Sequence, residues 1–156
     1  MSRKIVILGV GNLLMSDDGV GVHAAQLLAR NPPCGAEVVD AGTDVLSTLP
    51  FLESATHAVI IDAVRAGGAP GTLFLLSESE ISAQLDTSTA HAVNVLASRH
   101  LARRDQPWPE IVVLGVEPAL LDYGMALSPA VAAALPQSEQ KCRELIGNWN
   151  AESIHP

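Results

Sequence analysis

Leu8-Gly9-Val10-Gly11-Asn12-Leu13-Leu14-Met15-Ser16-Asp17-Asp18-Gly19-Val20-Gly21 is the stretch from which the rest of the chain is read. Before it, Lys4 to Leu8 forms a continuous apolar run, the pattern of a strand buried on both faces. After it, Val20, Ala24, Leu27 and Leu28 recur at helical spacing, which predicts a helix over 18–29. Glycines 9, 11, 19 and 21 permit a tight turn and a close approach of backbone to a ligand. Phosphate-binding loops share this strand–glycine–helix plan, but Asp17 and Asp18 would repel a phosphate. Two carboxylates at a helix start favour a metal cation or a basic peptide instead.

Outward from that stretch, strands and helices alternate. Asn31-Pro32-Pro33 ends the first helix, and 36–40 reads as a second strand. Thr43 or Asp44 can cap a helix carrying Val45, Leu46, Leu49 and Leu52. A third strand over 58–61 ends in Asp62-Ala63. The turn 66–71 then leads to a strand over 72–76, its short link predicting a hairpin or an edge position. Residues 78–89 read as polar and irregular, 90–103 as a helix, and 111–116 as a fifth strand followed by Glu117-Pro118. Ser128-Pro129 starts a last helix, with Pro136 as a kink point and a loose tail after Asn150. No repeat or linker interrupts 1–150, read as one domain with 151–156 as tail. The expected fold is an α/β three-layer sandwich, a twisted and largely parallel five-stranded sheet between helices.

Composition narrows the function. The chain has 156 residues, 9 basic against 17 acidic side chains and a net charge of −8, unfavourable for nucleic acid or an anionic membrane surface. No run of about 18 apolar residues occurs. The short apolar run after Ser2-Arg3-Lys4 does not make a signal peptide, so a cytoplasmic location is expected. Cys34 and Cys142 form no CxxC pair and read as ordinary thiols. His23, His57, His100 and His155 show no metal-ligand spacing. Neither G-x-S-x-G nor G-x-x-x-x-G-K-[ST] is present. A dinucleotide site is suggested by Gly9-Val10-Gly11 with Asp40 after the second strand, but Leu14 stands where the third glycine belongs.

Ligands of parallel sheets bind beyond the carboxyl ends of the strands. Asp17 and Asp18 follow the first strand, Asp40 the second, Asp62 the third and Glu117 the fifth. His91, at a helix start, can reach the same edge. Carboxylates with an imidazole suit nickel, zinc or a related ion. Each residue also has a plainer reading. Asp17 can cap a helix and Asp18 can balance its dipole. Asp40 and Asp62 can accept backbone hydrogen bonds, and His91 can be a helix-start residue without chemistry.

The ordered set Gly9-Val10-Gly11-Asn12-Leu13-Leu14, Asp17-Asp18-Gly19-Val20-Gly21, Asp40-Ala41-Gly42-Thr43, Ile61-Asp62-Ala63, Pro70-Gly71, Ala90-His91, Leu114-Gly115-Val116-Glu117-Pro118 and Leu127-Ser128-Pro129 closely resembles the hydrogenase maturation proteases. That resemblance covers residues 4 to about 148. Its most specific part is the opening G-x-G-N-x-L-x-x-D-[DE]-x-x-G. It implies a hydrolase of aspartic or metal-assisted type, an endopeptidase that removes the C-terminal extension of a nickel-loaded hydrogenase large-subunit precursor. The cut falls after a basic or histidine residue just beyond the last metal-binding cysteine motif. Asp18, Asp62 and His91 match the family's catalytic and metal-contacting residues. Gly11, Asn12, Asp17, Asp40, Gly42 and Thr43 match its substrate loops. The nickel is carried by the substrate, with no tightly bound cofactor on the enzyme, which is expected to be a monomer. Where the family often reads D-G-G-T-x-G, this chain has Ala41 and Val45 in place of two glycines, and some members carry Glu at the position of Asp18. Two other readings stand beside this one: a non-catalytic nickel-sensing, chaperone-like module and a dinucleotide-binding domain.

Overall fold

The computed structural model describes residues 3–84 and 91–154. Strand β1 (Ile5–Val10) is buried at every residue, so it needs apolar cover on both faces. A 3-10 turn (Ser16–Gly19) leads from it into α1 (Val20–Arg30). Then follow β2 (Ala36–Gly42), α2 (Val45–Ser54), β3 (His57–Ala63), β4 (Leu73–Ser77), α3 (Glu78–Gln84), α4 (His91–Ala97), a second 3-10 turn (Ser98–Leu101), β5 (Glu110–Val116) and α5 (Pro129–Glu152). The sheet order is β2-β1-β3-β5-β4. β1 runs parallel to β2 and β3, and β3 parallel to β5, while β4 lies antiparallel beside β5. The short link after β3 therefore leads to an edge strand, with no β3–β4 hairpin.

Alternation of side chains along the strands divides the core in two. Ile5, Ile7, Val59, Ile61 and Leu114 face α1 and α5, meeting Leu28, Cys142, Ile146 and Trp149. Val6, Leu8, Ala58, Ile60 and Val113 face α2 and α4, meeting Leu52, Val95 and Leu96. This is the expected α/β sandwich, helices on both faces of a five-stranded, mostly parallel sheet.

Several local expectations change. Residues 78–84, read as irregular, form α3. Ser77 and Glu80 cap it reciprocally, the Glu80 N–H donating to Ser77 Oγ and the Ser77 N–H to Glu80 Oε1, both at 3.3 Å, and the helix's own Ile81 is buried in the core. The rest of the predicted irregular stretch and the helix start at Ala90 lie outside the described residues. The fourth helix is shorter than 90–103. Ser98 Oγ donates to Val95 O at 2.6 Å, a local bond that competes with helical pairing, and the chain tightens into a 3-10 turn. α5 passes through Pro136 and continues beyond Asn150 to Glu152, with Trp149 buried on its last turns. Asp44 caps α2 by accepting from the Ser47 N–H at 3.2 Å.

Candidate active site

The glycine-rich stretch approaches its own backbone rather than leaving room for a ligand. Gly11 has φ +134, and a Cβ there would meet the Asp18 carbonyl oxygen at 2.0 Å. A Cβ on Gly21 would meet the carbonyl oxygens of Ile61 at 2.0 Å and Val10 at 2.4 Å. These contacts seat α1 against β1 and β3 and fold the connecting loop into a fixed shape. Neither acid starts α1. Its N-cap is Gly19, without a side-chain capping bond, and Asp17 and Asp18 sit inside the preceding 3-10 turn.

Asp18 is 8% exposed. Its Oδ2 accepts from the Asn12 N–H at 3.1 Å and from His91 Nε2 at 2.8 Å. The bond to Asp18 raises the His91 pKa above its ordinary value, burial opposes the rise, and the Asp62 charge supports it. Asp62 is the penultimate residue of β3 and fully buried. Its Oδ2 accepts from the Ala92 N–H at 2.8 Å, anchoring the first turn of α4. Its Oδ1 is buried without a hydrogen-bond partner. Burial pushes the Asp62 pKa up to about 8, against the lowering effects of the Ala92 N–H and of His91, and Asp18 adds a further rise by like-charge repulsion. Asp18, His91 and Asp62, far apart in sequence, therefore meet at the carboxyl end of the sheet within electrostatic reach of one another.

The remaining candidates divide. Asp17 has no exposed surface; its carboxylate turns inward from the loop. Burial pushes its pKa up, but hydrogen bonds from Ser128, Leu120 and Ala119 prevail and hold it below the usual carboxylate range. Asp40 reaches the same edge but points to the other face. It pairs in register with Gly9 on the α1 side of the sheet, and Gln26 of α1 donates to its Oδ2 at 3.3 Å. Gly42 has φ +55, and its carbonyl accepts from the Gly11 N–H at 2.9 Å. The glycine this turn requires is thus present, while Ala41 is a buried core residue. Thr43 is exposed beside it, and Asn12 Oδ1 accepts from the Leu14 N–H at 3.0 Å. Glu117, 7% exposed, accepts from the Ala66 N–H at 2.8 Å and holds the loop after β3. Sequence reasoning missed Ser128 as a partner of Asp17; its capping appearance before Pro129 carried no sign of a bond across 111 residues.

The arrangement can orient an imidazolium and hold a carboxyl able to give or take a proton near neutral pH. Among the described residues no group of three or more His, Cys, Asp or Glu side chains is disposed to hold a metal ion. The family model for hydrogenase maturation proteases matches residues 22–144. The chain belongs to that family.

Among its relatives, the hydrogenase 2 maturation protease of Escherichia coli is 30% identical over 156 residues, covering 97% of this chain and 95% of that protein. The hydrogenase expression/formation protein HupD of Rhodobacter capsulatus is 30% identical over 158 residues, covering 96% and 74%. Among solved structures, the E. coli hydrogenase maturating endopeptidase HybD superposes with a TM-score of 0.81 at 25% identity, covering 93% of each chain. Membership makes this chain a hydrolase of the peptidase class and favours neither alternative reading. Among the described residues no helix is long and apolar enough to cross a membrane.

Proposed function

We propose that this maturation protease removes the C-terminal extension of a hydrogenase large-subunit precursor after nickel has been inserted, acting as a monomer in the cytoplasm. Asp18, His91 and Asp62 are its working residues. The observation that carries this reading is the convergence of a hydrogen-bonded Asp18–His91 pair on a buried Asp62 with one oxygen unpartnered.

Peptide hydrolysis needs a polarised carbonyl and an activated water. Asp62 is the acid–base group, because its proton is held up to about 8 and is exchangeable near working pH. Asp18 orients His91 and favours its protonated form, which supplies positive charge where an oxyanion develops. Nickel arrives as cargo of the substrate, and a dication beside Asp62 favours the carboxylate form. The cluster then recognises loaded precursor, because Asp18 can turn its carboxylate from His91 to the cargo while His91 keeps its proton for the oxyanion. This acid–base reading is of the aspartic type, with the substrate's metal assisting.

The test is to incubate purified enzyme with nickel-loaded and with nickel-free precursor and to follow C-terminal trimming by intact-mass spectrometry. Trimming of the loaded form alone is expected. Equal trimming of both forms would remove nickel from the recognition step, and no trimming of either would end the reading.

A further inference from the structure

Asp17 and Asp62 are the two acids without exposed surface among the described residues, and the chemistry above uses only Asp62. Asp17 accepts four hydrogen bonds, all from the segment 117–128. The Ala119 and Leu120 N–H groups donate to Oδ2 at 2.9 Å, Ser128 Oγ to Oδ2 at 2.8 Å and the Ser128 N–H to Oδ1 at 2.7 Å. The two loops are clasped along their backbones as well. The Asp17 N–H donates to Leu120 O at 3.0 Å, the Ser16 N–H to Gly124 O at 2.7 Å and the Gly124 N–H to Leu14 O at 2.9 Å. Ser16 Oγ donates to Asp122 O at 2.8 Å. Ser16 itself is held at φ 52, a left-handed conformation unfavourable for a non-glycine residue.

Apolar packing holds this segment only at its end, where half-buried Leu127 meets the cluster of Val20, Val116 and Val131; no residue from 118 to 128 is fully buried. Three of its apolar side chains stand in solvent, Leu120 at 44%, Met125 at 72% and Tyr123 at 90% exposure, as does Leu14 on the clasped loop at 58%. The segment leaves the end of β5 and is tied to the loop after β1. Those strands flank β3, so it borders the strand end that carries Asp62.

We infer that Asp17 is a positioning residue, its carboxylate fixing segment 117–128 beside the strand end that carries Asp62, so that Leu120, Tyr123 and Met125 bear on the precursor. Asp17 touches no substrate. This inference rests on the reading of Asp18, His91 and Asp62 as the active site. An Asn at position 17 would turn an NH₂ group toward at least one of the four donors, because both carboxylate oxygens accept.

The experiment measures KM and kcat for trimming of nickel-loaded precursor, and the Kd for the same precursor by biolayer interferometry, with thermal melts alongside. Asp17→Asn is expected to raise KM and Kd about tenfold with kcat within about twofold. Ser128→Ala, which deletes one of the four bonds, raises both about threefold, and Ser128→Thr restores them. Tyr123→Ala, at a fully solvated position, raises both about fivefold without moving the melt. A merely structural role lowers the active fraction, so apparent kcat falls while KM and Kd stay put; that result overturns the inference. Wild-type enzyme that binds precursor without trimming it ends the functional reading, and the Kd comparison still decides this one. Wild-type enzyme that neither binds nor trims overturns both.

Discussion

The Asp62 carboxyl is fully buried, with one oxygen bonded to the Ala92 N–H and the other unbonded. In the unfolded chain it titrates at about 4, whereas folded it keeps its proton up to about 8. Between these values the folded protein binds one proton more than the unfolded chain, so stability falls as pH rises across that window. His91 acts in the same direction. Its raised pKa means that the stabilisation from its pairing with Asp18 is complete below its ordinary value and fades as pH climbs through the folded one. Asp62→Asn removes the first contribution and leaves the second. The variant is expected to melt several degrees above wild type at pH 8, with the difference shrinking toward zero as the pH falls to about 4, read by differential scanning calorimetry. A variant that melts well below wild type at pH 8 would mean that the buried acid stabilises the fold. The sequence put Asp62 at a strand end but could not give its burial, because a carboxylate at that position is as readily solvated. The three partner residues of Asp17 were equally illegible, since they lie more than 100 residues away.

At the level of elements, the strands and the α/β class were legible from apolar runs, whereas the glycine spacing, which suggested a close approach to a ligand, instead lets α1 approach the sheet. A Cβ at Gly21 would meet backbone oxygens of both β1 and β3, which neither strand can yield without losing register. Gly21→Ala is accordingly expected to cost about 3 kcal/mol or more, measured by urea denaturation. A loss below about 0.5 kcal/mol would show that the helix can lift from the sheet at little cost. Two features were readable and were passed over. Ser77-Glu78-Ser79-Glu80 carries the S-x-x-E pattern of a capping box, which marks the start of α3. The period of two along β2 puts Val39 and Asp40 on opposite faces. Val39 packs with the α2 and α4 side, so Asp40 had to point toward α1, away from Asp62. Asp40 and Asp62 thus lie at one edge but on opposite faces of the sheet. The end of α4 at Ala97 was not readable, because Ser98 bonding back to Val95 is one of several options for a serine near a helix end.

For the whole molecule, an acidic chain with net charge −8 surrounds a site in which two acids follow the first strand and the space beside Gly11 is filled by the Asp18 backbone. A pyrophosphate has neither room nor counter-charge there, so titration with NAD or FAD is expected to give no binding heat in calorimetry; micromolar affinity would revive the dinucleotide reading. Sheet topology is what assembles the site. With β1, β3 and β5 adjacent and parallel, the residues that follow them gather at one edge, and α4 brings His91 to meet them. The most direct measurement of the central claim is the trimming rate of nickel-loaded precursor by Asp62→Asn, compared with wild type at equal folded concentration. The account predicts a loss of roughly two orders of magnitude or more with the fold intact, because the substitution keeps shape and removes the titratable proton. Trimming near the wild-type rate would take Asp62 out of the active site and leave the Asp18–His91 pair without the group it converges on.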